Sequence, residues 1–255
     1  MTKPHILITN DDGVESPGIL ALKQGLERLG EVIVFAPDHN WSAAGHTKTL
    51  HKPLRVDRCE LQDGHLAYTS SGAPSDCVAL ALLGVLDRRP DLIVSGINKG
   101  ENVGHDITYS GTVAGAMEGV VFGLPAIAVS LASFDREEYG SAATYAARVA
   151  AQVLEHGLPP NTFLNVNAPA LPPSEIKGVR VTRLGRRFYR DELVIREDPR
   201  GRSYYWIGGK MPSGDASIEG TDIWALANGY VSVTPLHMDM TDEPLVQALR
   251  DWNLE

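Results

Sequence analysis

Short apolar runs alternate with helix-like patterns over the first two thirds of this 255-residue chain. Residues 5–9 and 31–37 are rich in Ile, Leu and Val, a composition typical of buried strands. Between them, apolar residues recur at three- and four-residue spacing over residues 17–29, which predicts a helix that Gly30 ends. A strand, a helix and a strand of these lengths have the size of a right-handed crossover between parallel strands.

The same alternation continues along the chain. Residues 91–98 and 125–131 read as further buried strands, and residues 77–86 and 139–154 read as helices. Residues 47–70 carry Thr and aliphatic side chains that suggest short strands. We therefore predict an α/β fold with a Rossmann-like, doubly wound and mostly parallel sheet.

The composition changes near residue 170, where several prolines mark a joint. We predict a Rossmann-like catalytic core at residues 1–170 and a β-rich arm with a terminal helix at residues 171–255. Residues 179–207 read as antiparallel structure, giving a hairpin at about residues 180–210 with its turn at residues 198–201. The remaining predicted elements are a helix at residues 221–228, a strand at residues 229–234 that returns to the core, and an amphipathic helix at residues 241–252.

The first predicted strand ends in Asn10, Asp11, Asp12 and Gly13, which puts two adjacent carboxylates at its carboxyl end. Ligands bind at that edge of open α/β sheets because the loops that leave the strands converge there. Asn, Asp and Gly also favour a plain turn, so this peptide alone leaves a turn and a ligand site open. Because adjacent carboxylates repel each other, a cation is the natural partner to expect.

Two later loops follow strands at the same edge of the predicted sheet. Ser42 lies in the loop after the second strand, where a plain loop residue is the alternative interpretation. Asn98 ends the strand at residues 91–98 and precedes a glycine-rich loop that contains Asn102. Both loops therefore supply oxygen atoms close to the paired acids.

A helix start at Ser110, Gly111 and Thr112 adds backbone N–H groups and the positive end of a helix dipole, which suit a phosphate. An ordinary capped helix has the same pattern. Carboxylate, hydroxyl and amide oxygens, without cysteine or clustered histidine, favour a hard cation such as Mg²⁺ or Mn²⁺. Such a cation would make its bound water a better nucleophile, placed in line with a phosphate monoester on the helix.

Composition and charge narrow the class of protein. Apolar residues make up 43% of the chain and charged residues 22%, which is ordinary for a soluble globular protein. The net charge of −9 disfavours general binding to nucleic acid or to anionic membranes. Two cysteines are too few for a disulfide framework, and residues 1–4 leave no room for a signal peptide. We expect a soluble, cytoplasmic protein that binds no membrane and no nucleic-acid polymer.

Arginines and aromatic residues are interleaved over residues 183–206. Such a segment can bind nucleic acid through phosphate contacts and base stacking. Acidic residues in the same window and the negative whole-chain charge favour instead a solvated arm or a contact between subunits.

Several strings of this chain together resemble the SurE (survival protein E) nucleotidases, and they occur in the order found in that family. The resemblance covers essentially the whole chain. The strings are residues 10–13, the loop around Ser42, residues 95–104, residues 109–113 and residues 229–236.

This resemblance implies a cytoplasmic, acid-phosphatase-like enzyme that hydrolyses nucleoside 5′- and 3′-monophosphates, and sometimes short polyphosphate, with one divalent metal ion per subunit, Mg²⁺ or Mn²⁺. It also implies a homodimer or homotetramer in which the carboxy-terminal hairpin and helix are exchanged between subunits. The implied metal ligands are Asp11, Asp12, Ser42 and Asn98. The implied substrate-binding and phosphate-binding residues are Asn98, Asn102, Ser110, Gly111 and Thr112.

Two positions depart from the family's usual pattern. Ala73 stands where threonine is common, which removes a hydroxyl from that loop. Trp41 stands directly before Ser42, where polar residues are usual. Our hypothesis is that Trp41 narrows the pocket or offers a stacking face for a base.

Catalytic roles fall to Asp11 and Asp12. In our interpretation Asp11 mainly anchors the metal, and Asp12 both binds it and accepts the proton of the attacking water. The leaving-group acid stays open, with four histidines possible by residue type. They are His39, His46, His105 and His237.

Two other functions compete with metal-assisted hydrolysis. A strand-end Asp could itself attack phosphorus, although that chemistry usually needs two Asp residues separated by one position. The paired acids could alternatively belong to an Mg²⁺-binding phosphoacceptor or nucleotide-sensing module without turnover.

Overall fold

A computed structural model of the protein describes residues 3–254, apart from the side chains of residues 210 and 211. Residues 1, 2 and 255, which the predicted domain ranges include, lie outside the described part. The strands are β1 (His5–Thr9), β2 (Glu31–Pro37), β3 (Val56–Glu60), β4 (Leu66–Ser70), β5 (Leu92–Lys99), β6 (Ala126–Ala132), β7 (Thr162–Pro169), β8 (Val179–Val181), β9 (Arg187–Glu197), β10 (Ser203–Gly214) and β11 (Val231–His237). The α-helices are α1 (Pro17–Leu26), α2 (Pro74–Leu80), α3 (Gly111–Val121), α4 (Gly140–His156), α5 (Asp222–Ala227) and α6 (Glu243–Leu249).

One nine-stranded sheet has the order β3-β4-β2-β1-β5-β6-β7-β11-β8, and β9 and β10 form a separate hairpin. The central strands β2, β1, β5, β6 and β7 pair in parallel, whereas β3–β4 and β7–β11 are antiparallel. The predicted Rossmann-like, doubly wound and mostly parallel sheet is therefore confirmed, and a carboxy-terminal antiparallel hairpin is present.

Two hydrophobic cores lie on opposite faces of the sheet because successive side chains of a strand point to opposite sides. Ile6 and Ile8 belong to the core that α1 and α4 cover, and Leu7 belongs to the core that α2 and α3 cover. All three side chains are at most 1% exposed. Strand β1 is therefore covered on both faces, and only the loops at its two ends reach the surface of the sheet.

The single helix predicted at residues 77–86 was wrong at both ends. Helix α2 begins at Pro74, because Asp76 Oδ2 accepts a hydrogen bond from the Ala73 backbone N–H at 3.0 Å and Pro74 suits the first helical turn. Residues Ala81–Val85 form one wider, π-type turn. Gly84 lies in that turn with φ +127°, a conformation that a regular helix does not accept.

The carboxy-terminal segment also differs from the prediction. Residues 179–181 are not part of the antiparallel hairpin, since β8 pairs in parallel with β11 in the main sheet. The hairpin comprises β9 and β10, so it begins and ends later in the chain than predicted. Its turn is at residues 198–201, as the sequence predicts. Helix α6 is shorter than the predicted helix at residues 241–252, and it has no buried residue.

No helix within residues 3–254 has the length and apolarity needed to cross a membrane.

Close packing of α1 against β5 depends on Gly18. A Cβ at this position would lie 2.1 Å from the backbone oxygen of Ile97, well inside van der Waals contact. The neighbouring atom belongs to the backbone of a central strand, so it cannot move aside as a flexible side chain would. Gly140, the first residue of α4, has no such neighbour within 4 Å of its Cβ position.

We expect Gly18→Ala to lower the free energy of unfolding by about 1–3 kcal/mol or more, because the added methyl group overpacks the α1–β5 contact. The matched control Gly140→Ala should be neutral or stabilising by up to about 1 kcal/mol, since alanine is the better helix former. Urea unfolding of both variants measures the difference. Equal unfolding midpoints would contradict this description of the packing.

Candidate metal and phosphate site

A buried asparagine organises the turn after β1. Asn10 is fully buried, and its Nδ2 donates to the backbone oxygen of Gly13 at 2.9 Å and to Ser16 Oγ at 2.7 Å. Its Oδ1 accepts from the Gly13 N–H at 3.2 Å. Gly13 has φ +100°, a conformation that favours glycine. The turn therefore fixes the direction of the two carboxylates between Asn10 and Gly13.

Asp11 is a buried carboxylate, 4% exposed, that packs against the first turn of α3. The Thr112 hydroxyl donates to Asp11 Oδ1. Burial raises the pKa of Asp11 from 3.8 to about 6; the Thr112 hydrogen bond lowers it in part, and the Asp12 charge raises it further. A Cβ on Gly111 would lie 2.7 Å from the Asp11 Cβ, so this close approach requires glycine.

Asp12 is half-buried and more accessible than Asp11. Its Oδ2 accepts from the Lys99 backbone N–H at 3.2 Å, and its Oδ1 lies 3.5 Å from Asn40 Nδ2. Burial raises the pKa of Asp12, and the Lys99 N–H and charge oppose that increase. The end of β5 thus holds the second carboxylate next to Asn98.

Two further oxygen donors meet the acids at the same edge of the sheet. Asn98 Nδ2 donates to the Gly100 carbonyl at 2.8 Å, which leaves Asn98 Oδ1 without a hydrogen bond among the described residues. Ser42 is exposed in its loop, and the Trp41 N–H donates to the Asp11 carbonyl at 2.7 Å. This bond ties the Ser42 loop directly to the paired acids.

A cleft of 340 Å³ lies at this edge and brings most of the predicted site together. Asp11, Ser42, Asn98, Asn102 and Ser110 line it. The other predicted residues, Asp12, Gly111 and Thr112, border or support Asp11 and are not among the lining residues. The remaining lining residues are Ala43, Lys99, Glu101, Asp106, Tyr109, Phe134, Arg187, Tyr189 and Pro212.

Asn102 is held in the cleft by buried side chains of β6 and β7. Its backbone N–H donates to Asn167 Oδ1 at 2.8 Å, and its carbonyl accepts from the amide groups of Asn165 and Asn167 at 2.8 and 3.0 Å. Its own Nδ2 donates to Ser130 Oγ at 2.9 Å. Because both backbone groups and the side-chain NH₂ are engaged, the position of Asn102 is fixed before any ligand binds.

Comparisons with known proteins establish the family of the chain. The family model described as survival protein SurE matches residues 6–191. The chain belongs to the SurE family. The protein named 5′-nucleotidase SurE of Chloroflexus aggregans is 53% identical over 253 residues, which cover 98% of this chain and 100% of that one. Its namesake of Herpetosiphon aurantiacus is 54% identical over 253 residues, with 98% and 99% covered. The crystal structure of the SurE protein from Aquifex aeolicus matches with a TM-score of 0.84 and 44% identity, over 97% of this chain and 98% of that chain.

Arg187 is a cleft residue that sequence reasoning missed. Its side chain is 7% exposed, its Nε donates to Asp106 Oδ2 at 2.7 Å, and its Nη2 lies 3.2 Å from Glu101 Oε1. Tyr189 on the same strand also contacts Asp106 through its hydroxyl. In this SurE-family chain, the residues at the start of β9 therefore form part of the cleft wall. The arginine-aromatic segment is thus not only a solvated arm.

A buried carboxylate, Asp222, joins the segment just before the hairpin to the loop that contains Asn102. Asp222 accepts from the backbone N–H groups of Gly104 and Gly185 at 2.9 and 2.7 Å. Burial raises the pKa of Asp222, and these hydrogen bonds oppose the increase. Neither contact follows a local sequence pattern, because residues 104, 185 and 222 are far apart in the chain.

Glu118 anchors the loop that carries Ser42. Its carboxylate, 3% exposed, lies 2.8 Å from His46 Nε2 and 2.9 Å from Lys48 Nζ. His46 is thus engaged in a structural hydrogen bond with Glu118. His39 contacts Asp38 and is exposed. Among the described residues, none of the four histidines considered as leaving-group acids lines the cleft.

The two positions that depart from the family pattern lie outside the cleft lining. The Trp41 ring lies 5.1 Å from the His39 ring, measured between centroids. Ala73 is buried at the start of α2, where its N–H donates to Asp76.

A second acidic group lies elsewhere on the surface. Among the described residues, Glu27, Asp63 and His65 place three potential ligand atoms within 4.8 Å of one another. Lys23 Nζ already lies 2.5 Å from Glu27 and 2.7 Å from Asp63. A metal ion there would have to compete with the ammonium group.

We expect Asp11→Asn to stabilise the metal-free protein at neutral pH. The folded-state pKa of Asp11 lies above its unfolded value, so wild-type stability decreases as the pH rises from 3.8 to about 6. The total loss is about 3 kcal/mol, which an uncharged asparagine avoids. Thermal unfolding in EDTA at pH 4 and pH 7.5 measures the effect.

The variant should match wild type at pH 4 and exceed it at pH 7.5. Added Mg²⁺ should then raise the melting temperature of wild type and not that of the variant. A variant less stable than wild type at both pH values in EDTA would refute the assignment of an uncompensated buried charge.

Proposed function

We propose that the protein hydrolyses nucleoside 5′-monophosphates, and also 3′-monophosphates, to a nucleoside and phosphate in a reaction that depends on a divalent metal ion. One observation carries this proposal: the buried Asp11 and half-buried Asp12 share a cleft edge with Asn98, Ser42 and the start of α3. The names of the relatives, 5′-nucleotidase SurE, support the nucleotide as substrate.

The donor set fits a hard cation. Asp11, Asp12, Ser42 and Asn98 offer carboxylate, hydroxyl and amide oxygens, and no lysine or arginine side chain forms an ion pair with either acid in the described structure. Burial raises the pKa of both acids; no positive charge opposes this increase at Asp11, and the Lys99 N–H and charge oppose it only in part at Asp12. Mg²⁺ or Mn²⁺, one per chain, would neutralise this pair and activate water.

The two acids are suited to different roles. Asp11 is buried and already accepts from Thr112, so it holds a fixed position and anchors the site. Asp12 is half-buried and therefore more accessible to an attacking water than Asp11 is. We assign Asp12 to accept the proton of the attacking water.

Phosphate binding falls to the loop and the helix start on the other side of Asp11. Asn102 is fixed by its buried partners, and Ser110 caps α3 by accepting from the Val113 N–H at 3.1 Å. Gly111 and Thr112 lie in the first turn, where the helix dipole favours an anion. Thr112 also positions Asp11, which joins the phosphate and metal sides of the cleft.

We also propose that the protein is cytoplasmic and forms a homodimer or homotetramer in which the carboxy-terminal hairpin, β9 and β10, and the terminal helix α6 are exchanged between subunits, while β11 stays in the sheet of the core. Two observations support exchange. Helix α6 has no buried residue, and the hairpin exposes apolar side chains. These side chains are Leu193, Ile195, Trp206 and Ile207.

We expect phosphate release from 5′-AMP and 3′-AMP, abolished by EDTA and restored by Mg²⁺ or Mn²⁺. Asp12→Asn should lower kcat by about 100-fold or more, because general-base catalysis contributes that much, without changing the circular dichroism spectrum. Release that continues undiminished in EDTA would contradict metal dependence. Binding of nucleotide without release would favour the sensing module, and a trapped phosphoaspartate would favour direct attack by Asp.

A further inference from the structure

Three aromatic side chains with exposed rings line the cleft that contains Asp11, namely Tyr109, Phe134 and Tyr189. The Tyr189 hydroxyl contacts Asp106, whereas the other two rings have no polar partner in the described structure. Tyr109 is 63% exposed and Phe134 is 49% exposed. Single exposed aromatic residues are common on protein surfaces and need no explanation. These two, however, share one cleft with Asp11, Asn98 and Ser110, and an apolar wall with a few polar groups at one end is typical of a ligand site.

Phe134 is held at the rim of the cleft by a glycine. A Cβ on Gly100 would lie 2.4 Å from Phe134 Cε1 and 2.7 Å from Cζ, so the edge of the ring rests directly on the backbone of the site loop. The Gly100 N–H donates to the Leu131 carbonyl at 3.0 Å, which fixes that backbone to the end of β6. The ring is therefore supported on one side while half of its surface faces solvent.

Tyr109 is fixed through its backbone. Its N–H donates to the Asp106 carbonyl at 3.0 Å, and its own carbonyl accepts from the Gly45 N–H at 2.9 Å. It directly precedes Ser110, the cap of α3. An aromatic ring thus stands next to the proposed phosphate position on a backbone that is ordered without ligand.

The charged side chains around these rings are already paired. Lys99 Nζ lies 2.8 Å from Glu137, and Arg187 engages both Glu101 and Asp106. These groups are poorly placed to read the hydrogen-bonding edge of one particular base. The aromatic rings of Tyr109 and Phe134 instead suit stacking on the flat face, which every nucleobase has.

We propose that Tyr109 and Phe134 form a subsite that stacks on the nucleobase of the substrate, with little preference among bases. This inference rests on the proposed function and deepens it. It replaces Trp41, the base-stacking residue suggested by sequence, which packs on His39 outside the cleft lining. Stacking of one base on an aromatic side chain corresponds to roughly 5- to 150-fold in affinity.

The test compares 5′-AMP with ribose 5-phosphate, which is the same phosphomonoester without its base. Wild type should have a kcat/KM for AMP at least about 5-fold above that for ribose 5-phosphate. Phe134→Ala and Tyr109→Ala should each reduce this ratio. The corresponding ratios for GMP, CMP and UMP over ribose 5-phosphate should fall to a similar extent. Phe134→Tyr should keep the ratio, whereas Phe134→Leu, apolar without a π face, should lose most of it.

Two controls separate stacking from a general loss of structure. Leu66→Ala removes an exposed apolar side chain outside the cleft, and it should leave the ratio at the wild-type value. Adenosine, which has no phosphate, should inhibit ribose 5-phosphate hydrolysis by wild type, and at least about 5-fold more weakly in Phe134→Leu.

The outcomes distinguish the two proposals. Equal kcat/KM for AMP and ribose 5-phosphate in wild type, or an equal decrease for both in the Phe134 and Tyr109 variants, overturns the base subsite while the phosphatase activity stands. Wild type that releases phosphate from no phosphomonoester with Mg²⁺ or Mn²⁺ overturns the proposed function and the subsite with it.

Discussion

Confinement of two adjacent carboxylates at the end of a buried strand is the constraint on which the site depends. Burial disfavours the charged form of Asp11, and Asp12 beside it adds repulsion. The surrounding structure offsets this only in part, through the Thr112 hydroxyl and the Lys99 N–H. In the proposed function, a divalent cation completes the compensation. Gly111 allows Asp11 to pack against the first turn of α3, because a Cβ at position 111 would lie too close to the Asp11 side chain.

The cleft joins segments from nearly the whole chain. The Ser42 loop is held to Asp11 by the Trp41 N–H, and to α3 by the contact of His46 with Glu118. Asn102 is held in place by hydrogen bonds with side chains of β6 and β7. The hairpin base closes the far wall through Arg187. Because each loop has a buried anchor, the ligand groups are ordered before substrate arrives, and binding loses less conformational freedom.

The sheet and the paired acids could be predicted because their signals are local: apolar runs of strand length, and polar residues directly after them. Asp11, Asn98 and Ser110 met in one cleft since the ends of parallel strands converge. Contacts between remote segments, such as Arg187 with Glu101, leave no periodic signal. The start of α2 was missed although its signals are local: Pro74 suits the first helical turn, and Asp76 accepts from the Ala73 N–H three residues before it.

Metal binding tests the central claim most directly, that the Asp11 edge and not the Glu27–Asp63–His65 group holds the cation. Titration of metal-free protein with Mn²⁺, followed by calorimetry or electron paramagnetic resonance, gives the number of ions per chain. The account predicts one ion in wild type and in Asp63→Asn, and none of comparable affinity in Asp11→Asn. Unchanged binding in Asp11→Asn, or its loss in Asp63→Asn, would contradict it.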